Sequence, residues 1–456
     1  MSILNNALSG AIASQAALAS SSQNIANLQT KGYTRQAALL NAVAPASGSN
    51  QAGNGVIVSS LLRFSDNYKT QQLWRTASDL GAHSQTQPYL TQLETVMGND
   101  DANLSGGIDK FFAALNAVAG VDPTSTPLRQ QVVTAAGLLS QRFNSLNNVY
   151  NAQLQSVRQQ RVAIVDSANS SIAAIATLNA RIANANATGS NASSLIDQRD
   201  QAIDSLSSQM ALEVSDQPDG TRNVSLKSGQ SLVLGGVAGK LAVSGGAAQT
   251  FSLTFAGTTF DLDVTGAGGQ LGGLSSYEKN TLLPMQANVA EMAKQIADKV
   301  NAQLALGKTM ANNPGKPLFV YTPGSTSNML QVASGYQTDD LAFSADGTPG
   351  DTGNLQKLVD IKNQPITITG LGSVLLSDAD TQLVGKLAVD SQQNKGALDT
   401  YTTMRQQAEA DWQSTSGVNQ DEEAVNLVEY QNMYQANMKV MSVANALFDA
   451  TLAMMG

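Results

Sequence analysis

Cysteine is absent from all 456 residues, histidine occurs once, and Asp, Glu, Lys and Arg together make up only 13% of the chain. Without a thiol there is no disulfide and no thiolate metal site. A single imidazole, His83, removes histidine-based metal clusters and leaves at most one Ser-His-Asp arrangement. It stands among Gly81, Ser84 and Gln85 and reads as a solvated residue on a helix face or in a loop. Basic residues are also scarce: 26 Lys and Arg against 35 Asp and Glu give a net charge of −9. With no basic run to override that balance, nucleic acid is excluded as a partner. Long apolar runs are missing as well, so no membrane insertion is expected. The start lacks a basic region, and Ser14 and Gln15 interrupt the apolar stretch after Ile12. No cleaved signal peptide is therefore expected, and any route out of the cytoplasm would leave the N-terminus in place. Zero cysteine suits a chain that crosses membranes unfolded, although chance in a Cys-poor proteome explains it equally simply.

The deficit of charge is most concentrated at the chain start, where Met1 to Thr30 contains no Asp, Glu, Lys or Arg. Leu4, Ala11, Leu18 and Ile25 recur there every seven residues, supported by Leu8, Ile12 and Leu28. At the other end Leu427, Tyr434, Met441, Phe448 and Met455 repeat in the same way, with Tyr430, Asn437, Ala444 and Thr451 completing the alternation. A heptad stripe requires a partner helix along its length. Such stripes could complete the chain's own core. A helix polar all round its back through Ser, Asn and Gln can instead be buried against other subunits without desolvating charge. The spacing therefore predicts a subunit that polymerises through its termini.

Between these ends the chain length suggests roughly three domains. Residues 1–32 form the first coiled-coil helix, ending near Thr30-Lys31-Gly32 with a cation and a glycine. Residues 33–210 begin a helical body. Their first part is extended, broken by Pro45, Ser47-Gly48-Ser49-Asn50 and Gly53-Asn54-Gly55, with a strand at Val56-Ile57-Val58. From Pro127 to about Ala187 the only helix breaker is Gly137, which gives one very long helix or two in line. A helix over Ser193 to Gln209 follows. At about Ala211 the apolar period changes from 3.6 to 2, and 211–275 reads as a small inserted antiparallel β-domain. The body returns as a helix over 276–308. Residues 309–376 are mixed loops and short strands, with Ile366 and Ile368 facing Val374 and Leu376. A long helix over 377–418 precedes the C-terminal coiled-coil helix at 419–456. The fold class is mainly α with inserted β, nested so that both termini reach one pole.

Little in the sequence supports catalysis or a cofactor. Gly235-Gly236-Val237-Ala238-Gly239-Lys240 has Leu234 and Leu241 where a phosphate loop needs Gly and Ser or Thr, so it reads as a turn. Asp421-Glu422-Glu423 could hold a divalent cation, but Asn419 with Glu422 three residues later is a helix-start pattern. Asp197, Arg199 and Asp200 are read as a solvated helix face.

Several motifs point to a family. Ser22-Gln23-Asn24-Ile25-Ala26-Asn27, followed by Thr30 and Gly32-Tyr33-Thr34-Arg35-Gln36, resembles the N-terminal signature of bacterial flagellar rod, hook and hook-associated proteins. The Gly-Tyr-Thr-Arg-Gln form is most similar to the hook-associated members. So is Ser416-Gly417-Val418-Asn419-Gln420-Asp421-Glu422-Glu423, continuing to Phe448-Asp449. Leu195-Ile196-Asp197-Gln198-Arg199-Asp200 and Gly268-Gly269-Gln270-Leu271-Gly272-Gly273-Leu274 agree in order. The resemblance implies a non-enzymatic junction subunit between hook and filament, located outside the cell in the flagellum. Its implied partners are further copies of itself in a ring, the hook protein, the next hook-associated protein, a cytoplasmic chaperone on the C-terminal region and the flagellar type III export apparatus. The stripes and the motif residues Asn24, Asn27, Gly32, Tyr33, Arg35, Gln36, Asn419, Asp421, Glu422 and Glu423 would be assembly contacts. The segment after Lys308 is too short for the full extra outer domain of longer members. A hook or distal rod subunit is the alternative within the class, and a secreted adhesin the alternative outside it.

Overall fold

In the computed structural model, residues 2–44, 53–99, 103–246 and 248–455 are described. The predicted breaks at Pro45 and at Ser47 to Asn50 lie outside them. The first helix, α1 (Ser2–Ala26), is followed by a turn and a hairpin of β1 (Gln36–Ala42) and β2 (Val56–Arg63). The helix ends one turn before Thr30, because the side chains of Asn27 and Thr30 hydrogen-bond locally and compete with the helical ladder. Gly32 then takes the left-handed conformation.

The body is built from long helices: α2 (Asn67–Met97), α3 (Leu104–Gly120), α4 (Thr126–Ala187) and α5 (Ser193–Gln209). The predicted long helix is one continuous piece of 62 residues, with a proline in its first turn, where a missing N–H costs nothing. Pro88 sits inside α2 without ending it. Two antiparallel sheets then interrupt the helices. The first holds β3 (Leu212–Asp216), β4 (Arg222–Leu226), β5 (Ser231–Leu234) and β6 (Val237–Ala238), and the second β7 (Lys240–Val243), β8 (Phe251–Phe255) and β9 (Thr258–Leu262). Of the Gly235-to-Lys240 segment, expected to be a turn, only Gly235 and Gly236 form one; Val237–Ala238 is β6 and Lys240 begins β7.

Helix returns earlier than expected, with α6 (Gly269–Tyr277) joined through a π turn at Glu278–Leu282 to α7 (Leu283–Ala305). The glycines of α6, placed by the sequence in the β-domain of 211–275, serve close helix packing. A Cβ on Gly273 would lie 2.4 Å from the carbonyl oxygen of Ala82 on α2. The segment after α7 holds β10 (Phe319–Tyr321) paired with β11 (Leu330–Val332), α8 (Gly353–Asp360), and the hairpin of β12 (Pro365–Ile368) and β13 (Gly372–Leu375). Ile366 pairs with Val374 as predicted, whereas Ile368 pairs with Gly372 and Leu376 begins the next helix. Two long helices close the chain: α9 (Leu376–Ser416) and α10 (Gln420–Met455).

One continuous apolar core runs from Trp74 on α2 to Leu387 on α9, through Phe111, Phe143, Tyr150, Ile203, Leu253 and Val289. Helix α9 packs along α2 and returns the chain to its origin. There His83 is not solvated: its Nδ1 lies 2.7 Å from Asn394 Oδ1 and its ring stacks on Tyr401. The terminal unit of α1, the β1–β2 hairpin and α10 stands apart from this core. Among the described residues its buried apolar side chains are the alanines Ala7, Ala11, Ala13 and Ala17.

Candidate assembly interface

Helices α1 and α10 run antiparallel with a register fixed at two points. Asn24 donates to Glu423 Oε1 at 2.9 Å, and fourteen residues along each helix a Cβ on Gly10 would lie 2.5 Å from Asn437 Oδ1. The residues of α1 on the packed side are small: Ala7, Gly10, Ser14, Ala17 and Ser21 recur every three or four positions. From α10 come the half-buried Leu427, Tyr430, Tyr434, Asn437, Met441 and Ala444, which is the predicted stripe as far as it has a partner. Beyond Ala444 helix α10 outruns α1, and Phe448 and Met455 stand exposed.

The N-terminal stripe is mostly not the face of α1 that packs on α10. Of its six residues only Ala11 is buried; Leu18 and Ile25 are half-covered, while Leu4, Leu8 and Leu28 face outwards, Leu8 being 45% exposed. The reason is steric: α10 and the β1–β2 hairpin approach α1 so closely that only small residues fit between them. The hairpin runs back along α1, with Asn6 donating to Gly53 O at 3.1 Å and Ser20 to Gln36 O at 2.9 Å. Sequence inspection also missed a second heptad on α10, made of Met433, Val440, Leu447 and Met454 with Ala436, Val443 and Ala450 between them. All seven are exposed, Leu447 by 59% and Met454 by 82%. The signal was present as a seven-residue repeat one position out of phase with the chosen stripe. Small residues of α1 therefore meet the half-buried stripe of α10, while Leu4 and Leu8 of α1 and the second heptad of α10 face outwards.

The family motifs converge at the base of this pair. Asn24 uses its full hydrogen-bonding capacity there. Its amide donates to Gln36 O and Glu423 Oε1, and its oxygen accepts from the Tyr33 hydroxyl at 2.8 Å and the Gln36 amide at 3.1 Å. Burial, with Asp197 and Glu423 nearby, pushes the Tyr33 hydroxyl up to about 12, so it keeps its proton and remains a donor. Arg35 pairs with Glu422 and stacks over Phe64, while its amide donates to Ser416 O at 2.8 Å. Glu422 thus turns to Arg35 rather than completing a capping box. Asn419 supplies the other half, accepting from the Asp421 amide at 3.0 Å. Asp421 itself is exposed.

Below this lies a buried clasp that the sequence reading took for a solvated face. Asp197 accepts from the Thr34 amide at 3.2 Å and from Arg63 at 2.7 and 3.0 Å. Asp200 pairs with Arg63, Arg199 and Arg222. Burial raises the Asp197 carboxyl above the ordinary range, opposed by Arg63. The i,i+3 spacing on α5 gave no sign of this, because Arg63 and Arg222 arrive from strands far along the chain. Arg405 on α9 pairs bidentately with Asp204 at 2.9 Å, beside a cleft of about 560 Å³ that both tryptophans, Trp74 and Trp412, help to line. Among the described residues no group of three His, Asp or Glu side chains is placed to hold a metal ion. No described helix is long and apolar enough to cross a membrane.

The chain combines a helical body, small inserted antiparallel sheets and a terminal helix pair with uncovered apolar faces. Residues 90–319 match the helical domain of the flagellar hook-associated protein FlgK, and residues 412–454 match the flagellar basal body rod FlgEFG protein C-terminal region. The chain belongs to the flagellar hook-associated protein family and is a structural component of the flagellum. It is 27% identical to flagellar hook-associated protein 1 of Salmonella typhimurium over 556 aligned positions covering 99% of both chains. It is also 27% identical to flagellar hook-associated protein 1 of Bacillus subtilis over 493 positions, covering 97% of this chain and 96% of the relative. The fold is shared with the flagellar hook junction protein FlgK from Burkholderia pseudomallei, at a TM-score of 0.67 and 19% identity, over 76% of this chain and all of that one.

Proposed function

We propose that this protein is an adaptor at the hook–filament junction, forming a ring whose subunits are joined through α1 and α10. The observation that carries this reading is the outward apolar surface of the helix pair. The terminal unit buries mainly alanine internally and leaves Leu4, Leu8, Ile12, Val440, Leu447 and Met454 uncovered. Patches of that kind on a soluble body mark interaction sites. The absence of charge from residues 1–30 allows this surface to be enclosed without stranding an ion. Similarity to hook-associated proteins, through a domain model covering residues 90–319, favours the junction over the hook or rod itself. The hook protein and the next hook-associated protein would be its neighbours along the axis. Before export the isolated helix pair would stay largely unfolded, held by a chaperone at the C-terminal region and passed to the type III apparatus.

Replacing Leu8 or Leu447 by Asp tests the interface. Both side chains are exposed, so monomer stability should change by no more than about 0.5 kcal/mol. The variants are expected to be exported and folded yet missing from flagella, with motility lost. Normal incorporation of either, scored by immunogold labelling at the hook–filament boundary, would refute the interface. Label along the whole hook would favour a hook subunit, and label away from flagella an adhesin.

A further inference from the structure

Without cysteine, the methionine thioether is the side chain that oxidants attack most readily. The methionines of this chain are unevenly sheltered. Met97, Met210, Met285, Met292 and Met329 lie in the core, none more than 3% exposed. Helix α10 carries five others, and Met433, Met438, Met454 and Met455 are each at least 40% exposed. The fifth, Met441, is half-buried in the seam with α1. On the body, Met310 and Met404 also reach the surface. Met433 and Met454 share one face: three heptads apart, they bracket Val440 and Leu447 on the outward stripe. That stripe contains no charged or hydrogen-bonding side chain, Ala436, Val443 and Ala450 being its other members.

Reaction of such a thioether with a peroxide needs no further reagent. The sulfur lone pair attacks one oxygen of hydrogen peroxide and the O–O bond breaks. The sulfur keeps that oxygen and is oxidised by two electrons, while the peroxide is reduced and leaves as water. An apolar side chain thereby becomes a polar sulfoxide that accepts hydrogen bonds. On the free subunit water solvates the new group, so the fold is little disturbed. Enclosed in an apolar seam it is a buried acceptor without a donor, which weakens the contact about tenfold per site. We propose that Met433 and Met454 are oxidation sites at which a peroxide stops this chain from being assembled. This rests on the reading that the outward face of α10 meets other subunits. Enclosure in that contact would also shield both sulfurs, so the subunit at risk is the one not yet built in.

Flagella regrowing after shearing, with and without a sublethal dose of hydrogen peroxide, provide the test. The readout is immunogold label for this protein per regrown hook. Peroxide is expected to lower incorporation of the parent at least tenfold. The Met433→Leu/Met454→Leu protein keeps both side chains apolar and should incorporate as it does without peroxide. Met310→Leu/Met404→Leu, which removes the exposed thioethers of the body, should stay as sensitive as the parent. Peptide masses of the purified protein after treatment should show one added oxygen at Met433 and Met454 and none at the five core methionines. Equal loss in the parent and in Met433→Leu/Met454→Leu, or no loss in either, overturns the proposal. Protection by the body pair, or oxidation of the core methionines ahead of these two, does the same. If Leu447→Asp is missing from flagella while peroxide leaves incorporation unchanged, the interface stands and the oxidation sites fall. If Leu447→Asp incorporates normally, the interface reading falls and takes this proposal with it. Should the paired Leu variant fail without peroxide, each single Leu variant is expected to give partial protection, and the absence of any overturns the proposal equally.

Discussion

Replacing Asp197 by Ala removes the acceptor that ties the terminal unit to the body. In the native protein this carboxylate receives the Thr34 amide and two guanidinium N–H groups of Arg63. Both side chains of the ion pair are largely buried, at 14% and 9% exposure. Removing one member of a buried pair costs about 3–5 kcal/mol, since the other charge is left without its counterion. Arg63 keeps Asp200 at 3.2 Å, which places the loss near the lower end, about 3 kcal/mol. At 1.36 kcal/mol per tenfold, that corresponds to an opening equilibrium roughly a hundredfold larger. Hydrogen exchange at Thr34 reads this directly, because the residue is fully buried and its amide is held by Asp197. The amides of α4 should keep their native protection, confining the effect to the neck. The double variant Asp197→Leu/Arg63→Leu should cost less than the two single changes together, since no charge is stranded. Exchange at Thr34 unchanged in Asp197→Ala, or double-variant costs that simply add, would refute the clasp.

Two further outcomes follow from the packing and the charges. Gly10→Leu should push α1 from α10 at Asn437, costing about 1–3 kcal/mol and raising exchange across residues 430–441. Asn437→Ala in the same chain should restore part of the protection, and failure to do so would contradict the proposed register. Asp380, buried between α9 and the start of α3, accepts from the Ser105 amide at 2.8 Å, yet burial raises its carboxyl above the ordinary range. A carboxyl whose folded pKa exceeds its unfolded one binds its proton more tightly when folded. Its ionised form therefore costs stability at neutral pH, and the cost disappears as pH falls through the folded value. Asp380→Asn keeps an acceptor and lacks the titration, so its melting temperature relative to the parent should be higher at pH 7 than at pH 4.5. The opposite trend would show that the Ser105 contact outweighs burial.

Much of this architecture could be read from the chain because local chemistry dictated it. Helix α4 followed from the lack of breakers between Pro127 and Ala187, and the β-domain from the switch of period near Ala211. The same reasoning failed wherever a residue's surroundings come from distant sequence. Asp197, Arg199 and Asp200 looked solvated because α5 alone offers only the Arg199–Asp200 pair; Arg63 and Arg222 complete the cluster. His83 was misplaced for the same reason, since Asn394 and Tyr401 lie more than 300 residues away. In the terminal stripes, size misled. Leucines at heptad spacing drew attention, whereas the close seam was made by Gly10, Ala17 and Ser21, which any apolarity count passes over.

The nesting of the chain also has a kinetic side. Helix α1 finds its cover in residues 420–455 and α2 in residues 376–416, so the outermost contacts join segments roughly 300 to 400 positions apart. Contacts of such separation form slowly, because the intervening chain must close as one large loop before they contribute. A ribosome releasing this polypeptide holds back the partner of its first helix until the last turn has been made. Until then neither helix of the terminal pair has the other to settle on.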